Sequence, residues 1–322
     1  MGETFKDIFA LFEHLQSIGM PGLAHSPAQF EVMQMGDGKF CAVPMPMFPL
    51  FRGQSRYYEE CKPALYRSYW TQEALFERQM QLADFDYILN EHPEIKGRIK
   101  ASIKINYEGL AQHYGIPTDI LDFTNSPLVA AFFATTTYDE ETNTYIPIMH
   151  TISKGVIYVA QLGGVIESMI SDMSCTMPIG MEALHRPGEQ RAYGRRMKPT
   201  EDLNTSLGYN KFFFWHTPDV SMEVWKRCNG MHGFFPYDPM TDKVRNMIKY
   251  RIYSEGALRD AYALMPDLAR DLDENRDKME NAGCHFVEYI PFAYTPSELV
   301  HVQQELHQLY PGSFSDANDG MV

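Results

Sequence analysis

The chain has 322 residues, 44% of them hydrophobic and 13% aromatic, which is ample for a packed core in one large domain or two ordinary ones. A formal net charge of −14 opposes broad attraction to a phosphate backbone and disfavours nucleic acid as a partner. No window approaches the roughly 18 apolar residues of a membrane helix, the first residues carry acid where an export signal is basic, and the five scattered cysteines (Cys41, Cys61, Cys175, Cys228, Cys284) make no C-x-x-C pair, so the expectation is a cytoplasmic protein without a membrane span, disulfide framework or zinc site.

Apolar positions Phe5, Ile8, Phe9, Leu11, Phe12 and Leu15 recur near helical period and stop at Gly19 and Pro21, which predicts an amphipathic N-terminal helix. Residues 39–43 read as a short strand. The three prolines of VPMPMFPLF then rule out a helix and deliver extended chain to Phe51-Arg52-Gly53-Gln54. Arg52 offers five fixed donors suited to a phosphate or carboxylate, and the missing side chain of Gly53 would let a ligand approach the backbone. Arg52, Arg56, Lys62 and Arg67 make a locally basic run, suited to an anionic small molecule or, more plainly, to a solvated face. Thr71 caps a helix that runs to about His92 with Phe76, Met80, Phe85 and Leu89 on its apolar side. A second helix runs from Pro93 or Lys96 to Tyr114, is ended by Gly115 as a left-handed cap and by Pro117, and puts His113 in its last turn. After a polar connector over 116–125, Ser126 is an N-cap and Pro127 the first residue of a helix through LVAAFFATT.

Further on, DEETNTYIP reads as a surface loop and GVIYVAQL as a strand. Residues 163–209 predict loops and short helices around a basic cluster, Arg186, Arg191, Arg195 and Arg196. NKFFFWH then reads as a buried strand, VSMEVWKRCN as a short helix and GMHGFFPYDP as turns. MIKYRIY alternates like a strand, GALRDAYALMPDLARDLDENRDKME reads as helix broken at Pro266, HFVEYI as a strand, and PSELVHVQQELHQLY as a final helix before a mobile acidic tail. The fold class expected is α+β: a single mixed domain with a central, mainly antiparallel sheet and peripheral helices. Its expected organisation is an N-terminal helical extension over 1–35, a core over 36–265, and a C-terminal helix and strand extension over 266–322 packed on that core.

Asp119, Asp122, Thr124 and Ser126 lie on the connector, just before the positive end of the helix that begins at Pro127, an arrangement suited to an anion. The plainer reading is that these side chains cap the helix and satisfy turn backbone. His113 offers a general base or a ligand donor. The H-E-x-x-H, G-x-S-x-G and P-loop patterns are absent, so zinc peptidase, serine hydrolase and P-loop chemistries lack their defining residues. His185 and His232 are not at ligand spacing, and no metal is predicted.

The Phe51-Arg52-Gly53-Gln54 segment together with AQHYGIPTDILDFTNSPLVAAFFA at 111–134 resembles the FRG domain, a widespread bacterial family named for its Phe-Arg-Gly motif. Gln112, His113, Tyr114, Gly115, Pro117, Thr118, Leu121, Asp122, Phe123, Thr124, Pro127 and Ala131 match the second motif, while Asp119 stands where the family usually has Arg. RCNGMHGFF resembles a later motif, with Met231 in place of the usual Gln. The layout looks like the three-part site of ADP-ribosyltransferases. On that resemblance Arg52, Gly53, Gln54, Gln112, Asp122, Thr124 and Ser126 hold a nucleotide, and His113 and Glu288 are the catalytic side chains. NAD is then a substrate rather than a tightly bound cofactor, and a protein is the acceptor of ADP-ribose in a toxin or phage-defence setting. The alternative is a ligand-sensing or protein-interaction module without catalysis.

Overall fold

Strand signals and helix caps in the sequence translate directly into elements of the computed structural model, which describes residues 3–24, 30–34, 36–44, 49–160, 176–179, 184–266 and 270–309. The strands are β1 (Thr4–Phe5), β2 (Phe30–Gln34), β3 (Phe40–Pro44), β4 (Leu50–Gln54), β5 (Ile120–Thr124), β6 (Thr136–Asp139), β7 (Thr144–Pro147), β8 (Lys154–Ala160), β9 (Thr176–Pro178), β10 (Ala192–Arg196), β11 (Tyr209–Trp215), β12 (Ile252–Ser254) and β13 (His285–Val287). The helices are α1 (Ile8–Ser17), α2 (Gln72–Glu91), α3 (Pro93–Lys100), α4 (Tyr107–His113), α5 (Pro127–Thr135), α6 (His185–Glu189), α7 (Pro218–Arg227), α8 (Pro239–Tyr250), α9 (Glu255–Leu264), α10 (Leu272–Asn281) and α11 (Pro296–Leu309).

Seven strands make one sheet in the order β1-β11-β8-β4-β5-β10-β9. β1 runs parallel to β11, and every other neighbouring pair is antiparallel, so the domain is mixed α/β with a mainly antiparallel sheet. The period of two along each strand sends neighbouring side chains to different cores. Phe51, Ile157 and Val159 join α1, α5 and α7 in one apolar cluster. Leu50, Val156 and Tyr158 join Leu121 and Phe123 in another. Ile120 and Ala192 meet a third and larger cluster built by α2, α4, α8 and α9, which also receives Met279, Tyr294 and Val302 from the C-terminal stretch. The N-terminal stretch is woven into the sheet through β1 as well as packed through α1.

Several caps lie where the residue types put them. Thr71 Oγ1 accepts from Ala74 N at 3.2 Å, Ser126 Oγ accepts from Val129 N at 3.5 Å, and Gly115 takes φ 99 at the end of α4. Other expectations are corrected. The helix expected up to Tyr114 is two helices, because Ile103 bridges to Phe40 and Asn106 recaps the chain by accepting from Gly109 N. The polar connector contains β5, an inner strand of the sheet, whose ILDFT alternation is only five residues long. DEETNTYIP is not a loop but part of the β6–β7 hairpin. Within 163–209, β10 is a second inner strand, and MIKYRIY is mostly the end of α8, which stops where Arg251 takes φ 52. The end of GVIYVAQL at 161–162, residues 163–175 and the tail after Pro311 lie outside the described residues.

Candidate functional site

β4 and β5 share one ladder pair, Phe51 with Thr124. Beyond it Arg52 spans from β4 to β5, donating Nη1 to the carbonyl oxygen of Asp122 at 2.8 Å. The Arg52 Nε is buried with no hydrogen-bond partner among the described residues. Gly53 follows, and its role differs from the one its residue type suggests. A Cβ at this position would stand 1.8 Å from Ala130 O and 3.0 Å from Ala134 N, so the glycine is what lets α5 lie against β4. On the side where a Cβ would stand, the close approach is taken by the protein's own helix.

Where the strands part, a cavity of about 240 Å³ opens, lined by Arg52, Arg67, His113, Asp122, Thr124 and Gln190 with Phe133 and Tyr145. It adjoins an outer groove of about 890 Å³ that shares Gly53, Arg67, Phe133 and Tyr145 and adds Gln54, Arg56 and Lys62. The basic run of the sequence is therefore a wall of this cleft. Part of its charge is answered locally, since Lys62 pairs with Glu60 at 2.8 Å and Arg56 lies over the Tyr58 ring. Partial desolvation, and then the neighbouring Arg52 guanidinium, hold Arg67 below the usual arginine range. Burial pushes the Tyr145 hydroxyl up to about 12, so it stays a neutral donor near pH 7.

Arg52, His113, Asp122 and Thr124 converge on the inner cavity, and Gly53 on both spaces. Gln112 stands behind them: it donates Nε2 to Asp122 Oδ1 at 2.8 Å and accepts from the Thr118 hydroxyl. Gln54 lines the outer groove, with its Oε1 3.8 Å from Cys61 Sγ. Thr124 Oγ1 is already committed, donating to Gln190 O at 2.8 Å and accepting from Ser126 N at 3.0 Å. Ser126 is fully buried as the α5 cap and does not line the cavity. Glu288 is exposed just past β13, whose two-stranded sheet is separate from the one that carries the site. Met231 packs into the apolar cluster of α1, α5 and α7.

Asp119, at the position where a family arginine was noted, does not line the cavity. Its carboxylate takes both bonds from Arg196 Nη1, at 2.7 and 2.6 Å, and Arg196 Nη2 also donates to Glu108. The charge at this position is spent on an ion network beside the site.

His113 is nearly fully buried, with its Nδ1 3.1 Å from Gln190 Oε1 and its Nε2 3.9 Å from Asp122 Oδ1. Burial, the largest influence, pulls its pKa below the ordinary histidine range; Asp122 opposes the shift, Arg186 adds to it, and Gln190 opposes it. Arg186 also donates Nη1 to His113 O and lies over the Tyr114 and Phe235 rings. Gln190 escaped the sequence reading. No local pattern marks it, and it reaches the site because β10 pairs with β5 in a register that sets Ala192 against Thr124.

Among the described residues no group of His, Cys, Asp or Glu is arranged to hold a metal ion, and no helix is long and apolar enough to cross a membrane. Cys61, Cys228 and Cys284 are buried free thiols. Comparison with curated proteins and with solved structures gives no match. Residues 49–143 match the family model of the FRG domain, a span that runs from β4 through β5 and α5 and contains Arg52, His113, Asp122 and Thr124. Over residues 49–143 the protein carries an FRG domain.

Proposed function

We propose that the cleft between β4 and β5 binds a nucleotide such as NAD, and that an ADP-ribosyltransferase-like core transfers ADP-ribose from it to a protein acceptor in a toxin or phage-defence setting. The observation that carries the proposal is the convergence of two guanidinium groups, Arg52 and Arg67, with the aromatic side chains Phe133 and Tyr145 on one cavity that adjoins a larger groove. Guanidinium forks recognise phosphate oxygens, and aromatic faces receive a base. The inner cavity has room for one ring or one sugar, and the outer groove for the remainder of a dinucleotide. In this reading Asp122, its carboxylate 43% exposed and oriented by Gln112, takes the place of Glu288 as the catalytic acid and faces a developing oxocarbenium ion.

Calorimetry of the full chain with NAD and with ADP-ribose tests binding, and release of nicotinamide tests turnover. Binding by the wild type, weakened at least ~10-fold by Arg52→Ala (about 1.4 kcal/mol), is the expected result. Absence of binding by either nucleotide would overturn the proposal. A second reading, ligand sensing without turnover, is favoured by the commitment of the Thr124 and Ser126 hydroxyls to backbone groups. Tight binding with no nicotinamide release selects it.

A further inference from the structure

Hydrogen-bond polarity at the cavity can be followed from both ends. Gln190 Nε2 lies 3.0 Å from Phe234 O, and a carbonyl oxygen only accepts, so the amide nitrogen is fixed on that side. Gln190 Oε1 therefore faces His113 Nδ1, which must carry the proton. At the other end, the Asp122 carboxylate only accepts, so Gln112 turns its amide nitrogen toward it and its Oε1 takes the proton of the Thr118 hydroxyl, whose oxygen accepts from Ile120 N at 3.2 Å. Every bond in the two chains is matched except where they meet. There His113 Nε2, on a ring whose side chain is 6% exposed, faces the Asp122 carboxylate at 3.9 Å. Among the described residues that Nε2 has no hydrogen-bond partner. Both groups line the inner cavity.

Two acceptors side by side, one buried and unpartnered, leave a vacant place for a donor. We propose that Gln190 locks His113 as its Nδ1–H tautomer, so that His113 Nε2 and the Asp122 carboxylate form a two-acceptor notch that selects a hydroxyl donor of the sugar-diol class. The choice of a sugar hydroxyl rests on the nucleotide reading above; the tautomer and the notch do not. A sugar diol at the cavity side brings one O–H for each acceptor, whereas an ether, a phosphate or a carboxylate brings only lone pairs. Gln190 is thus a positioning residue, acting through His113. A site built around a ligand hydroxyl rejects the analogue that lacks it far more strongly than an apolar pocket does.

Two measurements test this separately. In long-range nitrogen–proton NMR spectra of the ligand-free full chain with labelled histidine, near pH ~7.5, His113 is assigned by the signal lost in His113→Phe. Protonated Nδ1 and bare Nε2 are expected, with Gln190→Leu releasing the ring toward Nε2–H and Gln190→Glu restoring Nδ1–H. An Nε2–H ring or an imidazolium in the wild type would overturn the notch whatever binds. In the second measurement, NAD is compared with analogues in which one ribose hydroxyl at a time is replaced by hydrogen. One analogue is expected to bind at least ~10-fold more weakly to the wild type, a gap that falls below ~2-fold in His113→Phe. NAD binding with no such discrimination refutes the inference and leaves nucleotide binding standing. If NAD does not bind at all, the nucleotide reading fails and the tautomer measurement alone decides the notch.

Discussion

Replacing Gly53 by alanine is expected to unseat α5 from β4. The added methyl would lie 1.8 Å from Ala130 O, 2.8 Å from Ala130 C and 3.0 Å from Ala134 N. Non-bonded heavy atoms rest near ~3.5 Å, so the helix has to retreat by well over ~1 Å. All three atoms belong to helix backbone and cannot rotate out of the way. Retreat is costly as well, because every residue of α5 except Phe133 is buried against the sheet or its neighbours. Overpacking of this kind costs ~1–3 kcal/mol and occasionally more, and the upper end applies where the clash is with backbone. At about 2.1 cal/mol/K of unfolding entropy per residue, a loss of about 3 kcal/mol lowers the melting temperature of a 322-residue chain by roughly 4–5 °C. Urea denaturation followed by circular dichroism, at fixed pH, measures the change directly. A loss below ~0.5 kcal/mol with an unchanged slope in urea would refute the packing argument. If ligand binding were then abolished as well, the position would be one of ligand approach after all.

Asp119→Arg installs the residue that the resemblance leads one to expect, but here it would face Arg196 and leave Glu108, which also pairs with Arg78 at 3.7 Å, to answer three guanidiniums. It is expected to cost about 1–3 kcal/mol in stability and to leave NAD affinity within ~2-fold, since Asp119 lies outside the cavity. Tighter NAD binding in that variant would show that the position does set the charge of the site. Asp86 gives a pH dependence: burial first, then Glu108 and Asp260, raise its carboxyl to about 7. The native chain keeps a proton that the unfolded chain releases near pH ~4, so this contribution to stability is present at low pH and is lost as pH rises through about 7. Asp86→Asn is therefore expected to exceed the wild type by more than ~1 kcal/mol near pH 8, with the advantage shrinking toward pH 4. Equal stabilities in urea near pH 8 would contradict it.

Much of the local structure was legible because its causes are local. A threonine or serine hydroxyl reaches an amide three residues on, so Thr71 and Ser126 announce α2 and α5 without outside help. Gly115 relieves a left-handed turn and marks the end of α4 in the same way. The convergence of Arg52 with His113, Asp122 and Thr124 was legible only as a resemblance, and sequence spacing gave no distance between them. β5 and β10 went unread because five residues of alternation carry too little period to outweigh the polar and glycine-rich residues around them, and an inner strand is settled by its neighbours.

Two features of the site depended on tertiary structure alone. Gly53 invites a ligand when read by residue type, but the space beside it belongs to Ala130, 77 positions further along the chain. Gln190 has no motif, and it orients His113 only because the β10–β5 ladder brings residues near 190 alongside residues near 124. Sequence by itself determined which segments could begin and end helices, and which side chains carried chemistry, since those follow from short-range geometry and residue type. Tertiary structure decided which of those side chains were already spent on the fold and which still face the cavity, because a hydrogen bond or a methyl-sized gap depends on the partner that packing supplies.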